Sequence, residues 1–312
     1  MSEKTSDSAV KLVKEIQSKH YLYYALIIAV VLFALTKASL FIGFAVFVVV
    51  AIVVSDMVIG SEKHGWQSEV KEVAIALAVA LIIWFGASFL LQTSAPLDAI
   101  VSCSMLPNME RGDMVILQGK TSVSAPEISL SQAQWDEIQQ KKELEWICVY
   151  CNTTQGLTPC LYSPSTQTAK SVENQSGLVE YECGTCTRKF FDGRETYYPC
   201  TKSVTIAGQT AKANYSNDVI VYETLATDAF GKDNIIHRLY AKIVVEGKNY
   251  YLTKGDNNPW LDVQVGNSPP PDERVHGKVI LGAPYIGYFK LYLFGRGATP
   301  PGCDSTLSEQ PI

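Results

Sequence analysis

Val73–Leu97 reads VAIALAVALIIWFGASFLLQTSAPL, 25 residues without a charge, and Asp98–Asp113 continues it as DAIVSCSMLPNMERGD. As a helix rising ~1.5 Å per residue, the first part can cross the ~30 Å hydrocarbon core of a bilayer. The second part, with its Ser, Pro, Gly and Asp, cannot continue such a helix. The junction near Leu97 therefore divides the chain into an apolar anchor and a polar outer part, and places Ser104 just beyond a membrane surface.

Two more uncharged stretches lie upstream, Tyr21–Thr36 (16 residues) and Ala38–Ser55 (18 residues), separated by Lys37 alone. The second is long enough to span. The first covers roughly 24 Å as a helix, with Tyr21, Tyr23 and Tyr24 suited to the headgroup zone. The pair forms a tight hairpin that either crosses the bilayer or dips into it. A buried soluble hairpin is disfavoured because Phe41–Val54 has no polar face, and a second apolar run directly after the first argues against a cleaved leader. Lys4, Lys11, Lys14 and Lys19 precede the first stretch, and Lys63 and Lys71 precede the third. No basic residue follows the third until Arg111. The positive-inside rule then puts the N-terminus and residues 56–72 in the cytoplasm and residues 98–312 outside.

The whole-chain averages conceal this division. With 312 residues, 47% hydrophobic and 18% charged, the chain is neither disordered in composition nor basic enough for nucleic-acid binding through bulk charge. Residues 1–92 carry seven acidic and seven basic side chains, so the net charge of −5 belongs to the outer part.

Beyond Leu97, short runs with period-two alternation predict strands at Met114–Leu117, Val219–Tyr222, Ile235–Ile236, Leu239–Val245, Tyr250–Thr253 and Lys278–Leu281. Between about Gly119 and Asn214 the pattern changes to a helical stretch, Ser131–Ile147, followed by a segment rich in Cys, Ser and Thr. The expected organisation is a membrane anchor over 1–97 (helices about 21–36, 38–55 and 73–97) and a mainly β outer domain over 98–118 and 215–298. A Cys-rich, zinc-ribbon-like α+β subdomain is inserted at 119–214, and 299–312 form a flexible tail.

Taken singly, the polar residues of the outer part are ordinary. Ser104 reads as a loop serine, His237 in Asp233–Leu239 as a core histidine, and Asp256 and Asp262 in TKGDNNPWLD (253–262) as turn-capping aspartates. Together they supply a chemistry. A serine hydroxyl is a weak nucleophile and needs a base; a histidine base needs a carboxylate to hold its tautomer. Only His237 and His276 follow the third apolar run, and His276 sits in the turn-like DERVHG (272–277).

The order of motifs is Ser-x-Ser-Met-x-Pro-x-x-x-x-Gly-Asp (102–113), Asn-Asp-Val-Ile-Val-Tyr (217–222), Ile-Ile-His-Arg (235–238) and Lys-Gly-Asp-Asn-Asn-Pro-x-x-Asp (254–262). Gly-Lys-Val-Ile (277–280) and Pro-Tyr-Ile-Gly-Tyr (284–288) close it. This order resembles type I signal peptidases, in the version of archaea and of the catalytic subunit of the eukaryotic signal peptidase complex. The resemblance covers roughly 98–118 and 215–290. It implies a signal peptidase-like β fold and a membrane-bound serine endopeptidase that removes signal peptides from exported preproteins. It also implies Ser104 as nucleophile, His237 as general base, Asp262 as the group orienting that base, and Asp256 as a supporting aspartate. The Ser102 hydroxyl and the Ser104 N–H would form the oxyanion hole. Bacterial relatives carry a lysine where this chain has His237. Cys103 stands where a small residue is usual and reads as an oxidation-sensitive thiol. Asn217 stands where the family prefers glycine. The expected partners are preprotein signal peptides, the lipid bilayer and a nearby export translocon; no cofactor is expected for catalysis.

Cys148-x-x-Cys151 and Cys183-x-x-Cys186 have the spacing of a structural Cys₄ zinc site, with Cys160 and Cys200 as substitute ligands. The alternative is disulfides, which form in oxidising compartments. Sequons at Asn152, Asn174 and Asn214 fit an exposed surface. A competing functional reading is a non-enzymatic surface protein that uses a peptidase-like scaffold and a zinc ribbon to bind a partner. A Ser–Lys dyad through Lys242 or Lys254 is a third.

Overall fold

The computed structural model describes residues 13–36, 39–119, 122–154, 156–175 and 177–309. Lys4, Lys11, Ala38 and the last three residues of the expected tail lie outside them. The chain divides into two compact units, one of residues 1–90 and 285–298, the other of residues 91–284 and 299–312.

In the first unit, α1 (Tyr21–Thr36), α2 (Ser39–His64) and α3 (Trp66–Leu91) are apolar along most of their length. Two of them are long and apolar enough to cross a membrane, over Leu40–Gly60 and Trp66–Leu91, whereas the apolar part of α1 is shorter. Residues 56–72 are helical except at Gly65, whose φ of 81° breaks the helix between α2 and α3. The third apolar run leaves the helix at Leu91, and the next residue, Gln92, takes the left-handed conformation (φ 52°) that commonly follows a helix end. Residues 285–298, whose Tyr-rich run Tyr285–Phe294 suits by sequence either packing on the β domain or lying at the membrane interface, group with the helices of the first unit. Their helix α5 (Gly287–Leu293) packs on α2, with the ring of Tyr292 where a side chain at position 43 would stand, so only Gly43 fits. Tyr288 meets Phe33 of α1 edge to face at 4.8 Å.

The second unit is mainly β. Its largest sheet contains β1 (Leu97–Ala99), β2 (Met114–Gln118), β3 (Glu127–Leu130), β10 (Val219–Glu223), β11 (Asn234–Val245), β12 (Lys248–Lys254) and β13 (Val275–Ala283). The order is β1-β2-β13-β10-β11-β12, with β3 added parallel to β11. Every strand expected from alternation lies within this sheet. The segment 119–214 supplies the capped helix α4 (Gln132–Gln140) and two smaller sheets. One is β4 (Ile147–Thr153), β5 (Gly156–Ser163) and β6 (Thr168–Ser171). The other is β7 (Val179–Phe190), β8 (Glu195–Ile206) and β9 (Gln209–Lys212), extended by β14 (Ser305–Glu309). The helix expected over Ser131–Ile147 is thus a nine-residue helix followed by a 3₁₀ turn and a strand.

The segment read as an insertion does not fold apart. Ile128, Trp135, Ile138, Leu144, Leu161 and Val204 form one buried cluster with Tyr240, Ile243, Leu252 and Leu261 of the largest sheet and its loop. The tail read as flexible is also corrected. Ser305–Glu309 pairs antiparallel with β7, and Leu307 is buried.

The zinc site is overturned. The eight cysteines form four disulfides: Cys103–Cys303, Cys148–Cys183, Cys151–Cys160 and Cys186–Cys200. Their Cα separations of 5.0–5.9 Å are ordinary for disulfides. Among the described residues no group of three or more His, Cys, Asp or Glu could hold a metal ion. The physical reason is strand geometry. Cys148 and Cys151 lie three apart in β4, and Cys183 and Cys186 three apart in β7. Side chains alternate along a strand, so β4 turns its two thiols to opposite faces, where each finds a different partner. A zinc knuckle needs a turn at this spacing, with both sulfurs on one side. Cys103 is likewise not a free thiol.

Candidate active site

Register brings distant residues onto one face of the largest sheet. Ile220 lies opposite His237 and Tyr222 opposite Ile235 in the β10–β11 pair, and Leu239 lies opposite Thr253 in the β11–β12 pair. Alternation along each strand puts Tyr222, His237 and Thr253 on a common face and sends Arg238 and Lys254 to the other. After β12 the chain turns through Gly255–Leu261, and a 3₁₀ turn opens with Asp262. Ser102 and Ser104 lie in the loop between β1 and β2.

On this face His237 Nε2 is 2.9 Å from Ser104 Oγ, and His237 Nδ1 is 2.6 Å from Asp262 Oδ2. His237 and Asp262 are only 4% and 3% exposed, whereas Ser104 is half-buried. A buried imidazole thus faces a hydroxyl with one nitrogen and a carboxylate with the other. Ser102 Oγ lies 3.1 Å from Ser104 Oγ.

The Asp262 carboxylate is itself held. Its Oδ2 accepts the Tyr222 hydroxyl at 2.9 Å and the Thr253 hydroxyl at 2.5 Å. Burial, reinforced by the neighbouring Asp262 charge, pushes the Tyr222 phenol well above its usual range. Tyr222 therefore donates as a neutral hydroxyl. These bonds fix the carboxylate oxygen that faces the imidazole.

Asp256 stands outside this relay. Both its oxygens take the Arg238 guanidinium at 2.8 Å, a fork that suits a planar carboxylate. Oδ2 also accepts Asn108 Nδ2 at 2.8 Å. Arg238 in turn donates to the carbonyls of Tyr215 and Asn217. Asp256 thus ties the loop carrying Ser104 to the strand carrying His237. Next to it, the Asn257 N–H donates to the Ser104 carbonyl at 2.7 Å.

The other candidates fall elsewhere. His276 on β13 bonds Asn234 at 3.2 Å. Lys242 pairs with Glu127. Lys254 lies on the Arg238 face and lines a small cavity with Arg238, Tyr215 and Asp256. The cysteines expected as metal ligands are disulfide-bonded. Tyr222, Thr253, Asn108 and Asn257 were not singled out from the sequence. Their signal lies in strand register with His237 for the first two, and in closeness to Ser104 and Asp256 for the others.

A hydroxyl, an imidazole and a buried carboxylate in series can deprotonate the hydroxyl for attack on an acyl carbon. Comparison with family models, with curated proteins and with solved structures finds no match to this chain.

Proposed function

We propose that the chain is a membrane-anchored serine endopeptidase of the signal peptidase I kind, cutting preproteins at the outer membrane face. The observation that carries this reading is the unbroken line Ser104 Oγ, His237 Nε2, His237 Nδ1, Asp262 Oδ2, with steps of 2.9 and 2.6 Å. The motif order in the sequence supports the same reading.

In this mechanism Ser104 Oγ attacks the scissile carbonyl while His237 Nε2 takes its proton. Asp262 keeps the Nδ1 proton facing itself and stabilises the imidazolium that forms. The imidazolium then protonates the leaving amine, and water repeats the sequence on the acyl-enzyme. The Ser102 hydroxyl and the Ser104 N–H serve the developing oxyanion, and such a donor typically contributes about 3 kcal/mol to the transition state.

The apolar helices anchor the enzyme in the bilayer as a multi-pass protein. The lysine distribution directs its N-terminus to the cytoplasm and its β domain outside. Four disulfides fit that oxidising side. The substrates are signal peptides delivered by a neighbouring translocon.

The test is cleavage of a preprotein by the full chain in detergent or vesicles, comparing wild type with Ser104→Ala and His237→Ala. Both variants should fall to background while keeping the wild-type fold. Processing by Ser104→Ala at an undiminished rate overturns the nucleophile.

A further inference from the structure

The loop bearing Ser104 is held by a segment from far downstream. Cys103, the residue before the nucleophile, is bonded to Cys303, 200 positions away. Two residues after Cys303 begins β14, which joins the edge of β7. Asn257 connects strand and loop. Its Nδ2 donates to the carbonyls of Cys103 and Ser305, each at 3.0 Å. Its Oδ1 accepts the Leu307 N–H at 2.6 Å, and its own N–H holds the Ser104 carbonyl. Arg188 of β7 adds bonds to the Asn257 carbonyl and the Ser305 hydroxyl, both at 3.2 Å. Leu307 seals the arrangement against the Cys186–Cys200 disulfide.

We propose that the C-terminal strand is a positioning clamp for Ser104, locked by the Cys103–Cys303 disulfide, so that the site reaches full turnover only when that disulfide has closed. The proposal rests on the peptidase reading above and adds its regulation. Asn257 is buried, and its amide is satisfied only with the strand in place. Without the strand a buried amide loses two partners and must turn to find others, and it is the same residue that grips the carbonyls of Cys103 and Ser104. A five-residue edge strand is weakly held by its ladder alone. The disulfide keeps it at high local concentration beside the loop. Closure joins two thiol sulfurs with loss of two protons and two electrons. The acceptor is the disulfide of a thiol–disulfide exchange partner, which leaves as a dithiol.

A clamp differs from a mere staple in what it changes. A staple affects melting, whereas a clamp affects turnover at temperatures where the protein is folded. The experiment compares wild type, Cys103→Ala/Cys303→Ala, Leu307→Pro and Cys151→Ala/Cys160→Ala as full chains well below their melting temperatures. Leu307→Pro removes the N–H given to Asn257 and leaves the disulfide intact, so it decides if the double cysteine variant does not fold. The readouts are kcat and KM on a preprotein and the rate of Ser104 labelling by a fluorophosphonate. The first two variants should lose about 10- to 100-fold in kcat, the scale of an ångström of misplacement. KM should stay within about two-fold, and labelling should slow in parallel. The Cys151→Ala/Cys160→Ala control should keep its turnover. Wild-type turnover and labelling in folded Cys103→Ala/Cys303→Ala or Leu307→Pro overturns the clamp and leaves the peptidase intact. A wild type inert to both substrate and probe overturns the peptidase reading, and the clamp with it.

Discussion

Tyr222 gives its hydroxyl to Asp262 on the same oxygen, Oδ2, that faces His237. The carboxylate that faces the imidazole is therefore held in turn by a strand residue fifteen positions before the histidine. Tyr222→Phe removes one donor and keeps the ring. A hydrogen bond to a charged group contributes about 1.5–3 kcal/mol, and Thr253 still holds the oxygen, so kcat should fall several-fold and not to background. Because the phenol stays protonated well above its usual range, its ionisation does not shape activity below about pH 10. The alkaline side of the pH–rate profile should be the same in Tyr222→Phe and wild type; a displaced alkaline limb would show that the phenol titrates with turnover.

Asp262→Asn should be far more damaging to rate than to stability. An amide can present its NH₂ to His237 Nδ1 and favour the wrong tautomer. In a serine triad that change costs about 10⁴ in kcat. The expected result is turnover lowered on that scale with Tm nearly unchanged. Activity within ten-fold of wild type would remove Asp262 from the relay.

Asp256→Ala should show the opposite balance. Arg238 and Asp256 are nearly buried, with side chains 13% and 3% exposed. Removing the carboxylate leaves the guanidinium without a counter-charge and with only the carbonyls of Tyr215 and Asn217, a loss of about 3 kcal/mol. For a domain of this size that lowers Tm by roughly 6–12 °C. Turnover should drop as well, because Asn108 loses its anchor in the Ser104 loop. A variant as stable as wild type would mean that the Arg238 fork holds nothing together.

These contrasts mark where the sequence is legible. The strands near His237 show period-two alternation, and the family resemblance carried by the motifs at 102–113 and 254–262 points to Ser104, Asp256 and Asp262 without any contact information. Cys-x-x-Cys is ambiguous for a physical reason: at a turn the two sulfurs converge, in a strand they diverge, and the spacing is the same for both. Cys148 and Cys151 lie in a strand. The union of 119–214 with the main core was equally hidden, since Trp135 and Ile138 show only that a helix has an apolar side, not which sheet it meets. Cys303 and Leu307 act on Ser104 across some two hundred residues, and local pattern carries no information at that range.

The buried tyrosines make stability of the β domain sensitive to alkali. Tyr181, whose hydroxyl donates to the Leu144 carbonyl at 2.8 Å, is 3% exposed, and burial raises its pKa far above the usual value. Tyr222 is raised in the same direction. In the unfolded chain both ionise near pH 10. Below that pH both states hold the proton and the stabilisation is complete. Above it the unfolded chain releases protons that the folded chain retains, so stability falls as pH rises, by up to about 1.4 kcal/mol per pH unit for each tyrosine. Urea unfolding of the detergent-solubilised chain between pH 9 and pH 11, followed by the β signal in circular dichroism, should show this decline. Tyr181→Phe should cost some stability at pH 8 through the lost bond to Leu144, and should show a shallower decline above pH 10. An equally steep decline in the variant would mean that Tyr181 titrates alike in both states and is not buried as a neutral donor.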